Sequence, residues 1–125
     1  MSAVAETQIQ LAIPGSPEFL RLARLAAADV GSRIGMTYED LEDLRIAVDE
    51  LSYTITGGRA ESTLHLVFSF GDAAIEVEGS CADDGGPFAP TELARTIVAA
   101  VVDEYQLEAD GGQRRFRLRK RAPEG

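Results

Sequence analysis

The sequence has no tryptophan, and its 125 residues include only three tyrosines, five phenylalanines, one cysteine and one histidine. So few aromatic residues exclude a large aromatic binding surface and predict a mainly aliphatic core. Cys81 has no second cysteine with which to form an internal disulfide. His65 has no histidine or cysteine partner at a metal-ligand spacing. We therefore expect no bound metal, a buried Cys81 and an exposed His65.

Basic residues are also scarce: 12 lysines and arginines stand against 21 aspartates and glutamates, for a formal net charge of -9. Binding to nucleic-acid phosphates needs a basic face, so we expect no direct nucleic-acid contact. Six of the 12 basic residues lie between Arg114 and Arg121, which leaves the rest of the chain strongly acidic. This acidic body either faces a basic protein partner or only keeps the protein soluble.

No apolar run is long enough to cross a bilayer, since the longest extends only from Ile97 to Val102. The chain opens without a positively charged leader followed by an apolar segment. We therefore expect no membrane association and a cytoplasmic protein. The length predicts one domain, residues 1–125.

Hydrophobic periodicity and turn residues predict eight elements. In order they are a strand at Thr7–Ile13, helices at Pro17–Arg33 and from Thr37 to Gly57, a hairpin of Ser62–Phe70 with Ala74–Cys81, a helix at Pro90–Glu104, and a hairpin of Tyr105–Glu108 with Arg114–Leu118. This order predicts an α+β fold, a two-layer sandwich in which helices cover one face of a mixed, mostly antiparallel sheet.

Local signals support both long helices. Ser16 is placed to cap the first helix, and Thr37 with Asp40 forms a capping-box pattern at the start of the second. The predicted core stripe of the first helix is Phe19, Ala23, Ala26, Val30 and Ile34. That of the second helix is Leu41, Leu44, Val48, Leu51 and Ile55. Its other face carries Glu50 one turn before Thr54.

Three segments resemble one protein family. The sequence YEDLEDLRIAVDEL, Tyr38 to Leu51, resembles the second helix of the anti-sigma factor serine kinases, with its Leu-Arg-aliphatic-Ala-Val-x-Glu motif. Asp83-x-Gly85-x-Pro87-Phe88 is similar to the nucleotide-site turn of that family. An aliphatic helix, a Gly-Gly turn and a basic strand then end the chain in family order. The chain therefore resembles the switch serine/threonine kinases of the histidine-kinase-like (GHKL) ATPase fold.

The resemblance implies roles for four residues. Glu50 stands where family kinases have the catalytic carboxylate, which polarises the attacking group as a general base. Thr54 stands where the family has the asparagine that holds magnesium, and a hydroxyl on a short side chain predicts weaker metal binding. Asp83 and Gly85 match the turn that binds adenine. The nucleotide-binding candidates are thus Thr54, Asp83 and Gly85.

The phosphate side departs from the family pattern. After Phe88 the family carries a flexible lid and a glycine-rich segment that wraps the phosphates, but this chain has almost no lid. Glu92 and Ala94 replace the glycines, although backbone N–H groups approach phosphates most closely from small residues. We therefore expect a degenerate site that binds ATP and Mg²⁺ weakly or not at all. Glu50 is then either vestigial or a general base, and the chain is expected to lack kinase activity.

The resemblance implies a homodimeric regulatory anti-sigma factor. It would sequester an alternative RNA polymerase sigma factor and be released by an anti-anti-sigma factor of the STAS type. We assign the partner contact to Arg21, Leu22, Arg24 and Leu25, which lie off the core stripe of the first helix. An ordinary solvated helix face is the alternative.

Two other functions stay open. One is an active ATP-dependent serine/threonine kinase of the anti-anti-sigma factor, with Glu50 as base. The other is a structural or sensory domain whose pocket binds another ligand or none.

Overall fold

A computed structural model describes residues 6–123 of the chain. The eight predicted elements are confirmed in type and order. Their bounds are β1 Thr7–Pro14, α1 Pro17–Arg33, α2 Tyr38–Thr56, β2 Thr63–Phe70, β3 Ala74–Ala82, α3 Glu92–Val101, β4 Glu104–Asp110 and β5 Gln113–Arg121.

The strands form one five-stranded sheet in the order β1-β2-β3-β5-β4. The predicted α+β class is confirmed, and every strand pairing within residues 6–123 is antiparallel. β3 and β4 run in the same direction, because β5 is antiparallel to both. In the β4–β5 hairpin, β5 lies between β3 and β4, so these two strands do not pair with each other. The sheet is therefore antiparallel rather than mixed within the described residues.

The helices cover one face of this sheet. Its inward side chains are almost fully buried and aliphatic apart from two phenylalanines: Leu64, Leu66, Phe68, Ile75, Val77, Phe116 and Leu118. They pack in one cluster with residues of α1 and α2. Burying each such side chain contributes roughly 1.5–3 kcal/mol. The opposite face is polar, as expected for an antiparallel sheet with one solvated side.

The two unusual side chains of the sequence lie where they were predicted. His65 is exposed on β2, and Cys81 on β3 is 1% exposed. The Cys81 thiol donates to the carbonyl of Ile55 at 3.3 Å. Burial raises the pKa of this thiol, which keeps it protonated and unreactive at neutral pH.

The ends of α2 are fixed by the predicted signals. Thr37 Oγ1 accepts from the Asp40 N–H, and Asp40 Oδ2 accepts from the Thr37 N–H, both at 3.1 Å. At the other end, Gly57 adopts a φ of 64°, which favours glycine and ends the helix. Glu50 and Thr54 lie on this helix, so the same two end signals fix where along α2 both side chains stand.

The buried face of α1 differs from the predicted stripe. Leu20 is 2% exposed and Ala27 is fully buried, whereas Phe19 is 41% exposed. Because α1 packs against both α2 and the sheet, it buries a wider arc than one-sided periodicity indicates. The Ser16 hydroxyl makes no capping bond, although Ser16 occupies the N-cap position as predicted.

The last helix is shorter than predicted and the last two strands are longer. Thr91 caps α3 through its hydroxyl, which accepts from the Ala94 N–H at 3.0 Å. Val102 is extended and ends the helix. Pairing with the full length of β3 extends β5 to Arg121, which faces Ala74 across the ladder. Within residues 6–123, no helix is long and apolar enough to span a membrane.

Candidate functional site

A cleft of about 590 Å³ opens between the C-terminal half of α2, the loop that follows β3, and the start of α3. Its lining mixes carboxylates, arginines, aromatic rings and prolines. The charged, hydroxyl-bearing and aromatic side chains of the lining include Glu50, Tyr53, Thr54, Arg59, Asp84, Phe88 and Arg114.

The α2 wall of the cleft holds Glu50 and Thr54, one helical turn apart as predicted. Thr54 Oγ1 donates to the Glu50 carbonyl at 2.7 Å, so this hydroxyl is turned back onto its own helix. The Glu50 carboxylate is half-buried, and none of the hydrogen bonds or ion pairs of the described chain involves it. On the α2 wall, the Glu50 carboxylate is therefore without a partner, whereas the Thr54 hydroxyl is already bonded to the helix backbone.

The loop wall is built from two successive aspartate turns. Asp83 Oδ1 accepts from the Gly85 N–H at 3.0 Å, and Asp84 Oδ1 accepts from the Gly86 N–H at 2.9 Å. The loop borders the cleft opposite Glu50, but Asp84 and Gly86 line it, whereas the predicted Asp83 and Gly85 do not. The residues of this loop that face the cleft are therefore shifted by one from the predicted pair, and the role of the loop in binding a nucleotide stays a prediction.

Arg114, at the start of β5, was missed by the sequence analysis. Its side chain is only 5% exposed. Its Nε donates to Asp83 Oδ1 at 3.1 Å, and its Nη2 donates to Asp84 Oδ1 at 3.0 Å and to the Gly86 carbonyl at 2.8 Å. The guanidinium carbon also lies 5.2 Å from the centre of the Phe88 ring, within cation–π range. One buried arginine thus holds the loop in place and engages one carboxylate oxygen of Asp83, the residue that the resemblance assigns to adenine.

The arginines of the cleft are neutralised by its aspartates. Arg59 Nη1 lies 3.4 Å from Asp84 Oδ2, and Arg114 contacts both Asp83 and Asp84. The Gly86 N–H, followed by the charges of Arg59 and Arg114, holds the pKa of Asp84 below its ordinary value. Asp84 is therefore ionised at neutral pH and pairs with both arginines. Neither arginine pairs with Glu50.

The phosphate side lacks a cradle. Only Ala89, Pro90 and Thr91 separate Phe88 from α3. Ala94 lines the cleft, and its N–H is already bonded to the Thr91 hydroxyl. Glu92 is exposed in the first turn of α3, where it adds a negative charge. The cap thus uses one of the backbone donors that could bind a phosphate, and Glu92 places a carboxylate beside the others.

No cluster of three or more His, Cys, Asp or Glu side chains suited to a metal ion occurs within the part of the chain that the structure describes. For magnesium, the family position at Thr54 offers one hydroxyl oxygen that is hydrogen-bonded to the helix. Thr54 lacks the amide carbonyl of the family asparagine and its hydroxyl is already engaged, so this position fits Mg²⁺ poorly even where waters and substrate phosphates supply the other ligands.

The predicted partner residues lie on α1, and none of them lines the cleft. Leu22 is 43% exposed and Leu25 is 57% exposed. Arg21 is exposed beside them, and Phe19 extends the apolar strip. Arg24 is instead turned toward α2, where its Nη1 lies 2.7 Å from Asp49 Oδ1. We call Phe19, Arg21, Leu22 and Leu25 the α1 face.

Comparison with known proteins gives consistent results, although no family model matches the chain. The serine-protein kinase RsbW of Bacillus velezensis is 28% identical over 127 residues, covering 83% of this chain and 79% of the relative. That of Bacillus licheniformis is 26% identical over 148 residues, covering 97% and 92%. A crystal structure of the RsbU and RsbW domains of a Mycobacterium tuberculosis protein superposes with a TM-score of 0.68 at 16% identity. It covers 93% of this chain, which spans 32% of that longer one.

The fold is thus that of the histidine-kinase-like ATPases, and the predicted fold class is confirmed. The chain is similar to the serine-protein kinases RsbW, so the predicted resemblance to the anti-sigma factor serine kinases is confirmed.

Proposed function

We propose that this chain is a homodimeric anti-sigma factor that sequesters an alternative RNA polymerase sigma factor without using ATP. An anti-anti-sigma factor of the STAS type would release it. The observation that carries the proposal is the combination, in a chain similar to RsbW, of an exposed α1 face with a cleft unsuited to Mg-ATP.

The α1 face supports a protein partner. Three large apolar side chains, Phe19, Leu22 and Leu25, are each 41–57% exposed on one helix. Single exposed apolar residues are common, but grouped ones mark contact surfaces. Arg21 stands beside them as a basic group on an otherwise acidic chain, and arginine with apolar neighbours is typical of interface centres.

The cleft supports the loss of ATP-dependent phosphoryl transfer, which depends on positioning the phosphates and neutralising their charge. Thr54 replaces the metal-holding asparagine, Arg114 engages one oxygen of the Asp83 carboxylate, and the Ala94 N–H donates to the Thr91 cap. Glu50 and Glu92 bring negative charge to the region where a triphosphate would lie. The kinase alternative rests on Glu50, whose carboxylate is retained in the cleft.

The test of sequestration is capture of the sigma factors of the host by the immobilised protein. We expect one alternative sigma factor to be retained and its transcription in vitro to fall on addition of the protein. An anti-anti-sigma factor should restore that transcription. Failure of every sigma factor to bind would overturn the anti-sigma assignment.

Titration calorimetry with Mg-ATP tests the cleft. We expect a dissociation constant above about 1 mM, equivalent to a binding free energy weaker than roughly 4 kcal/mol. RsbW of Bacillus licheniformis serves as the comparison protein under identical conditions. Micromolar affinity, or phosphate transfer to an anti-anti-sigma factor that Glu50→Gln abolishes, would establish the kinase instead.

A further inference from the structure

The cleft contains a negative charge that no basic group of the described chain balances. Arg59 and Arg114 are both engaged by Asp83 and Asp84, two cations against two anions. Glu50 remains, half-buried on the α2 wall. The nearest arginine on α1, Arg24, is committed to Asp49 at 2.7 Å. Glu50 is therefore a carboxylate without an ion-pair partner on the α2 wall, which disfavours an anion there and attracts a cation.

Tyr53 lies beside this carboxylate and is 55% exposed. Glu50 and Tyr53 line both the main cleft and a second depression of about 260 Å³, whose other walls are Pro17, Leu20, Arg24 and Asp49. Glu50 and Tyr53 thus form a rim that the cleft and this depression share. A carboxylate next to an accessible phenol ring offers a cation both charge-assisted hydrogen bonds and cation–π attraction.

We propose that this rim, Glu50 and Tyr53, binds an arginine side chain of the protein that docks on α1. Arginine fits better than lysine because its planar guanidinium stacks on a ring while pairing with a carboxylate. The second depression is walled by α1 residues Pro17, Leu20 and Arg24, so one partner can reach both surfaces. In its choice of partner, the proposal rests on the function proposed above.

The first experiment uses a defined probe, Nα-acetyl-L-arginine amide, followed by ¹H–¹⁵N chemical shifts of the full-length protein. We expect shifts centred on Glu50, Tyr53 and the cleft loop. Nα-acetyl-L-citrulline amide has nearly the same shape without the charge and should bind at least about 10-fold more weakly. Glu50→Gln should weaken arginine binding by about 10-fold, and Tyr53→Ala by several-fold. Glu39→Gln, an exposed glutamate in the first turn of the same helix, is the matched control and should change nothing.

The second experiment repeats sigma-factor capture with Glu50→Gln and Glu39→Gln. We expect Glu50→Gln to weaken capture by about 10-fold or more while Glu39→Gln binds as wild type. If the sigma factor binds both variants equally, or citrulline binds as well as arginine, the arginine site is wrong and the proposed function stands. If arginine binding depends on Glu50 but no sigma factor is captured, the proposed function falls and the cation site stands.

Discussion

Replacing Arg114 by methionine is expected to lower the free energy of unfolding by about 3 kcal/mol. The arginine is 5% exposed and holds Asp83, Asp84 and the Gly86 carbonyl by hydrogen bonds of 2.8–3.1 Å. Its removal would leave those acceptors without their donor. The expected loss is at the low end for a broken buried pair, because both aspartates reach solvent in part and can be hydrated.

Urea unfolding of the purified protein would measure this loss. Arg117→Met is the matched control, since Arg117 lies three residues along the same strand on the exposed face and should change stability by under about 0.5 kcal/mol. Arg114→Lys should fall between wild type and methionine, because it keeps the charge but not the planar fork. A methionine variant as stable as the Arg117 control would show that Arg114 does not fasten the loop.

Arg114 also shows where sequence analysis ends. The composition shows only that basic residues are concentrated between Arg114 and Arg121, whereas β5 alternates, with positions 114, 116, 118 and 120 facing inward. Lys120 is 9% exposed and donates to the Val101 carbonyl at 2.9 Å. The period of two was visible in Phe116 and Leu118. The carboxylates that make a buried arginine tolerable lie about 30 residues away in sequence, so only the folded chain identifies them.

Features with local causes were predictable. α2 begins and ends at its capping box and its left-handed glycine, and the turn from Asp83 to Phe88 follows from its own residues. The position of α1 depends instead on packing against two neighbours. That is why the buried residue is Leu20 rather than Phe19, and why Arg24 is tied to Asp49 rather than free for a partner. The roles of the individual site residues stay predictions.

Arg21→Glu is expected to weaken sigma-factor binding by about 2–5 kcal/mol, roughly 30-fold or more. Arg21 is exposed on the α1 face with Leu22 and Leu25, where a bound partner would remove it from water. A reversed charge at such a desolvated contact loses an attraction and adds a repulsion. At a solvated position the same reversal costs well under 1 kcal/mol, because water and salt screen it. The size of the effect therefore separates an interface from an ordinary helix surface.

Binding would be measured by calorimetry or surface plasmon resonance, with circular dichroism confirming that each variant is folded. Arg95→Glu is the matched control, because Arg95 is exposed on α3 and makes the same change in net charge. Arg24→Glu is a poorer probe, since it also breaks the pair with Asp49 that joins α1 to α2. If Arg21→Glu binds the sigma factor as tightly as Arg95→Glu does, the partner does not dock on the α1 face, and another surface must carry the contact. If only Arg21→Glu loses binding, the interface lies on α1.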